Sequence, residues 1–273
     1  MSDAASRRTV DRLRAAPKYR QVHIDTITDI VAREAAFAMN AADLERRARL
    51  KLHKVIADYL LQGRQSRLLR GLDDAVADGR DALREWCRGT LSRHFSTAER
   101  LPDLDLLYPT ILDLTGPADS IADLACALNP FTVPWLRQTC AATYTGYDLN
   151  QSYVDLGTSF LAAIDSAATV EHRDVLVRPE DIRADVALLL KTYHCMEDRR
   201  AGAALRLVSD LTTPRVVVSF PIRTMSGRVS PFTRAHIQRL TELAAERDWE
   251  LRRATLTEEE LVVLVKGDGD GQH

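Results

Sequence analysis

From residue 120 onward, short apolar runs alternate with amphipathic stretches, and this alternation restricts the fold more than any other feature of the chain. The runs at 120–124, 142–147, 170–173, 186–190, 215–220 and 261–266 read as strands. The stretches 152–162, 203–210 and 234–247 carry apolar residues at helical spacing. Parallel strands need a crossover to connect them, so strands alternating with helices predict a mainly parallel α/β sheet covered on both faces. Residues 249–254 and 261–266 have no long helix between them, which suits an antiparallel edge hairpin.

The first third reads differently. Ile24, Ile27, Ile30 and Val31 recur at helical spacing, as do Leu52, Val55, Ile56, Tyr59 and Leu60. Asn40 separates the two helices, Asp43 is an expected N-cap, and a third helix is expected over 73–88. We therefore divide the chain into an N-terminal helical module at 1–88 and a catalytic-type domain at 89–273. Residues 1–75 hold 15 Lys and Arg against 10 Asp and Glu, whereas the remainder holds 22 against 29. A basic module on an acidic body suits a polyanionic partner.

The longest apolar runs fall far short of the roughly 20 residues a membrane helix needs. The start of the chain lacks the apolar core of a secretory signal. Cys87, Cys126, Cys140 and Cys195 show no paired spacing, so neither a metal site nor a disulfide framework is expected. A cytoplasmic protein with free thiols is the expectation.

Ligands of such sheets bind beyond the carboxyl ends of the strands. Three acidic residues stand there in chain order. Asp123 opens Asp123-Leu-Ala-Cys-Ala-Leu-Asn-Pro130, Asp148 closes the second strand, and Asp174 follows the third. A carboxylate after the second strand suits a ribose diol, and one after the third suits an exocyclic amine. The first loop has Ala125, Ala127 and Asn129 where a dinucleotide fingerprint needs glycines. That argues for an adenosyl ligand without a pyrophosphate, such as S-adenosylmethionine.

Four segments bear on the family. They are Arg49-Leu-Lys-Leu-His-Lys54; His94-Phe-Ser-Thr-Ala-Glu-Arg-Leu-Pro102, with Asp105 and Tyr108 in phase; residues 123–130; and the pair 185–191 and 218–228. On these segments the chain resembles the aminoglycoside-resistance 16S rRNA (guanine-N7) methyltransferases of the Arm, Rmt and Kgm type, FmrO-like members included. The resemblance implies a Rossmann-like class I methyltransferase sheet with an N-terminal helical domain that binds RNA. It implies S-adenosylmethionine as donor and S-adenosylhomocysteine as product. The implied donor pocket comprises Tyr59, His94, Phe95, Ser96, Arg100, Asp123, Ala125, Asp148, Leu149, Asp174, Val175, Leu190 and Arg199. In it Arg100 would pair with the methionine carboxylate, Asp148 with the ribose, and Asp174 and the Val175 amide with adenine, while Tyr59 and Phe95 would close the pocket. The implied partner is 16S rRNA in the 30S subunit, bound by a monomer without metal or membrane. Lys18, Arg46, Arg47, Arg49, Lys51, Lys54, Arg223 and Arg228 are the expected phosphate contacts. Tyr193, Phe220 and Arg223 are candidates to stack on a flipped base.

Three departures from the family pattern stand out: Ala127 for a glycine, Arg199 for a glutamine, and Val229-Ser-Pro-Phe232 in a basic loop. They keep two alternatives open, a relative acting on another RNA or small molecule and a non-catalytic binder of donor or RNA. No catalytic side chain is expected. Guanine N7 carries a free lone pair, so positioning suffices.

Overall fold

The computed structural model describes residues 3–57, 68–164, 166–222 and 231–267. Three helices come first: α1 (Asp3–Ala15), α2 (Ile24–Ala35) and α3 (Ala41–Ala57). They pack on one another around Leu13, Ile27, Val31, Leu44 and Leu52, which are almost wholly buried. Asn40, not Asp43, caps α3, with its Oδ1 accepting from the Asp43 amide at 3.0 Å. Asp43 reaches back instead to the Met39 amide at 3.2 Å, so two orphan amides are satisfied reciprocally.

The helix expected over 73–88 is two, α4 (Leu72–Ala77) and α5 (Arg80–Leu91). Gly79 divides them at φ +100°, a backbone region that suits glycine. Next come α6 (Phe95–Ala98) and α7 (Leu104–Thr115). Leu72, Cys87 and Leu91 share a core with Leu107, Ile111 and the sheet residues Ile121 and Leu188. Among the described residues, Leu68 to Leu91 thus contribute to the core under the sheet and not to the cluster of α1–α3.

The remaining elements are β1 (Ser120–Leu124), α8 (Val133–Thr139), β2 (Thr143–Asp148), α9 (Gln151–Ala163), β3 (Thr169–His172), β4 (Val186–Leu190), α10 (Tyr193–Arg199), α11 (Ala203–Asp210), β5 (Arg215–Pro221), α12 (Pro231–Glu246), β6 (Glu250–Thr255) and β7 (Glu259–Val265). The described residues form one seven-stranded sheet in the order β3-β2-β1-β4-β5-β7-β6. Strands β1 to β5 run parallel, and β7 enters antiparallel between β5 and β6. This is the Rossmann-like α/β sheet read from the sequence, with its late hairpin. Every residue of β4 is buried, as a central strand covered on both faces requires.

The strand order reverses between β1 and β4, from which successive parallel strands step outward in opposite directions, so a crevice opens at their carboxyl ends. The helical bundle is joined to that edge by backbone. His23 N–H donates to Leu149 O at 2.8 Å and Gln151 N–H to Gln21 O at 2.7 Å. Among the described residues no helix is long and apolar enough to cross a membrane, and no group of acidic, His or Cys side chains is arranged to hold a metal.

Candidate active site

A cavity of about 490 Å³ occupies the crevice, in the size range of small-molecule sites. Its floor comes from the sheet: Ala125, Ala127, Asp148, Leu149, Asp174, Val175, Leu190 and Lys191. Its roof comes from the bundle, with Asp29 and Arg33 of α2 and Lys51 and Lys54 of α3. His94 and Ser96 line the side, linked by a 3.0 Å hydrogen bond between His94 Nδ1 and Ser96 Oγ. Burial, helped by the nearby Arg100 charge, pushes the His94 imidazole down to about 4, so it is neutral at pH 7.

The loop after β1 is wound tightly. Ala125 and Ala127 both adopt positive φ, 58° and 43°. Their conformation is held by Cys126 N–H donating to Tyr147 O at 2.9 Å and by Ala127 N–H donating to Asp148 Oδ2 at 2.9 Å. The loop lies so close to β2 that a Cβ at Gly146 would stand 2.8 Å from Cys126 Sγ. The missing glycines are thus replaced by alanines in the backbone shape glycine would take.

Asp148 is the best-placed carboxylate. Oδ1 accepts from Asn150 N–H at 2.8 Å and Oδ2 from Ala127 N–H at 2.9 Å. Each oxygen keeps one acceptor position, which matches a vicinal diol. Burial raises its carboxyl to about 6 despite those two amides, and the charges of Asp123 and Asp174 add to the rise. Asp174 also lines the cavity; its Oδ2 accepts from Thr26 Oγ1 at 2.6 Å and pairs with Arg199 at 2.7 Å.

Several expected residues stand elsewhere. Asp123 is fully buried beneath the floor, where Tyr144 donates to it at 2.7 Å, and burial raises it to about 6. Arg100 is 1% exposed and does not line the cavity. Its Nε donates to Glu259 Oε1 at 2.6 Å, its Nη2 to Oε2 at 3.1 Å, and its Nη1 to Asn129 Oδ1 at 2.7 Å. The bidentate partner is this chain's own carboxylate, because an unpaired buried Glu259 would be costly. Phe95 is 50% exposed and outside the lining, whereas His94, in extended backbone just before α6, and Ser96 both line the cavity. Tyr193 and Phe220 are buried in the core with ring centroids 5.3 Å apart, and neither offers a face to a base. Tyr59, Arg223 and Arg228 lie outside the described residues.

The expected phosphate contacts divide into two kinds. Arg46, Arg47 and Arg49 pair with Asp43, Glu34 and Glu45 at 2.6, 2.8 and 2.8 Å. Lys18 Nζ lies 2.6 Å from His53 Nδ1. Lys51 and Lys54 are exposed and border the cavity. Lys191, which ends the segment 185–191, lines the floor at φ 58° with its ammonium 2.7 Å from Glu99. Its only signal in the sequence is a cation ending an apolar run.

Comparison with known proteins matches residues 14–264 to a family model described as ribosomal RNA methyltransferase (FmrO). A 16S rRNA (guanine(1405)-N(7))-methyltransferase of Micromonospora rosea is 31% identical over 227 residues, 82% of this chain and 83% of that protein. One of the same name from Serratia marcescens is 31% identical over 255 residues, 93% of this chain and 96% of that protein. The crystal structure of the 16S rRNA methyltransferase RmtF in complex with S-adenosyl-L-homocysteine superposes with a TM-score of 0.79 at 25% identity, covering 98% of this chain and 100% of that one.

Proposed function

The chain belongs to the FmrO family of ribosomal RNA methyltransferases, and from that premise we propose that it transfers a methyl group from S-adenosylmethionine to N7 of a decoding-site guanine of 16S rRNA. The substrate is the assembled 30S subunit, the working form is a cytoplasmic monomer, and the outcome is aminoglycoside resistance. The observation that carries this reading is Asp148, whose two half-satisfied oxygens face a cavity floored by the sheet and roofed by basic α3 residues.

S-adenosylmethionine supplies an electrophilic methyl group on a sulfonium sulfur. Guanine N7 holds an unprotonated lone pair, so the carbon–nitrogen bond forms as the carbon–sulfur bond breaks, and no proton has to leave N7. The protein's task is then placement and exclusion of water. Asp148 would hold the ribose hydroxyls, Asp174 and Val175 would border the adenine, and Leu190 would supply an apolar wall; all four line the cavity. His94, which lines the cavity and is neutral, would add no positive charge to a site that takes a sulfonium. Lys51 and Lys54 hold phosphates next to the cavity mouth, so the base they flank enters it by flipping.

Incubation of 30S particles with methyl-labelled S-adenosylmethionine, followed by mass mapping of 16S rRNA, tests the reading. One N7-methylated decoding-site guanine is expected. Label entering another molecule and sparing 30S would sink it.

A further inference from the structure

Arg199 sits where two parts of the chain meet. Its guanidinium lies 2.7 Å from Asp174 Oδ2, on the loop after β3, and 3.2 Å from Asp29 Oδ2, on α2. The Asp29 partner is 170 residues away in sequence. Thr26, one turn before Asp29, donates its hydroxyl to the same Asp174 oxygen at 2.6 Å. Asp174 Oδ1 accepts the Leu176 amide at 3.0 Å. The side chains of Arg199 and Asp174 are 7% and 1% exposed, so water does little to loosen the pair.

A carboxylate has about four acceptor positions. Thr26 donates to Oδ2, the Arg199 guanidinium lies against that same oxygen and fills its other side, and Leu176 donates to Oδ1. A single position is left, and Asp174 lines the cavity. Asp29 lines it too, from the roof, with Arg33 on its other oxygen at 2.8 Å.

We propose that Arg199 is a positioning residue with two effects: it turns the one remaining acceptor of Asp174 toward the donor's exocyclic amine, and it fastens α2 over the same cavity. This rests on the donor reading above. A carboxylate offers only acceptors, and with one oxygen held from two sides the remaining acceptor stays aimed at the cavity, so a purine bearing a 6-oxo group meets acceptor against acceptor. Arg199 thereby joins the Thr26 hydrogen bond in linking the bundle that docks RNA to the donor pocket, and donor affinity depends on a residue of the bundle.

Calorimetric titration of the full chain with S-adenosylhomocysteine and with its inosine analogue, which carries oxygen in place of the amine, tests both effects. The wild type is expected to favour the adenosine form about 100-fold, the worth of one hydrogen bond to a charged group. Arg199→Ala should lower adenosine-form affinity and narrow that ratio to about tenfold, with Arg199→Lys restoring part of it. Asp29→Ala should keep the ratio and weaken binding of both ligands about fivefold, a typical coupling between linked sites. A ratio in Arg199→Ala equal to wild type, or unchanged affinity in Asp29→Ala, overturns the proposal. If Arg199→Ala does not fold, Arg199→Lys and Asp29→Ala decide it by the same criteria. A wild type that binds neither ligand removes the donor reading itself, and the clamp with it.

Discussion

Asp148 works against its own burial. Two backbone amides stabilise its charge, yet desolvation wins and the carboxyl rises to about 6. Ribose hydroxyls bind best to the ionised form, so donor affinity is expected to weaken about tenfold per pH unit below about 6 and to level off above it. Stability of the empty protein runs the other way. Between about 4 and 6 the folded state binds the proton more tightly than the unfolded chain, so this group's contribution falls as pH rises. Calorimetry and unfolding at pH 5, 6 and 8 read both slopes, and a flat donor affinity across that range would contradict the role given to Asp148. Ala125 and Ala127 present a second local conflict, since positive φ costs a residue with a Cβ about 1 kcal/mol or more. The amides that hold Asp148 and β2 also hold this loop, and those bonds keep the strained shape in place.

At the level of elements, Arg100 is the tie that matters most. It joins the turn after α6 to β7 through Glu259 and to the loop after β1 through Asn129. Lys191 at the end of β4 stands 3.7 Å from the same glutamate. Burial alone would raise the Glu259 carboxyl, but the Arg100 and Lys191 charges outweigh it and the net shift is downward. Removing one partner of such a pair leaves a buried charge short of compensation. Arg100→Ala is expected to destabilise the fold by about 3–5 kcal/mol, measured by urea unfolding with the slope unchanged. A loss below about 1 kcal/mol would mean that Lys191 alone suffices for Glu259.

Across the whole molecule, the basic bundle and the acidic sheet domain meet around one cavity, so docking and chemistry share a boundary. Lys51 and Lys54 stand at that boundary, and Arg46 lies on the outer surface beside Asp43. Each phosphate contact adds about 0.9 to the slope of log affinity against log salt. Replacing Lys51 and Lys54 together by alanine is expected to lower that slope for 30S binding by about 2. Arg46→Ala should change it less, because Asp43 already offsets part of its charge. Filter binding from low to moderate salt would show the difference, and equal slopes for the two variants would move the docking face away from the cavity mouth.

The alternation of apolar runs was enough to read the sheet, its late hairpin and the three acidic strand ends, because strand and helix periodicities are local properties of the chain. Observed strand limits differ from those read by only a residue or two. The split at Gly79 was less visible, since apolar spacing continues across it and only its backbone angle ends the helix. That one of the three carboxylates stays out of the cavity was not legible. Asp123 and Asp148 look alike in sequence, yet one lies under the floor and the other on it. Arg100 likewise looked free to bind an incoming carboxylate until β7 brought Glu259 against it from 159 residues away. Sequence alone thus determined the sheet and the chemistry of its edge. Tertiary structure decided which charges neutralise each other, because that choice depends on contacts between residues far apart in the chain, made where water cannot screen them.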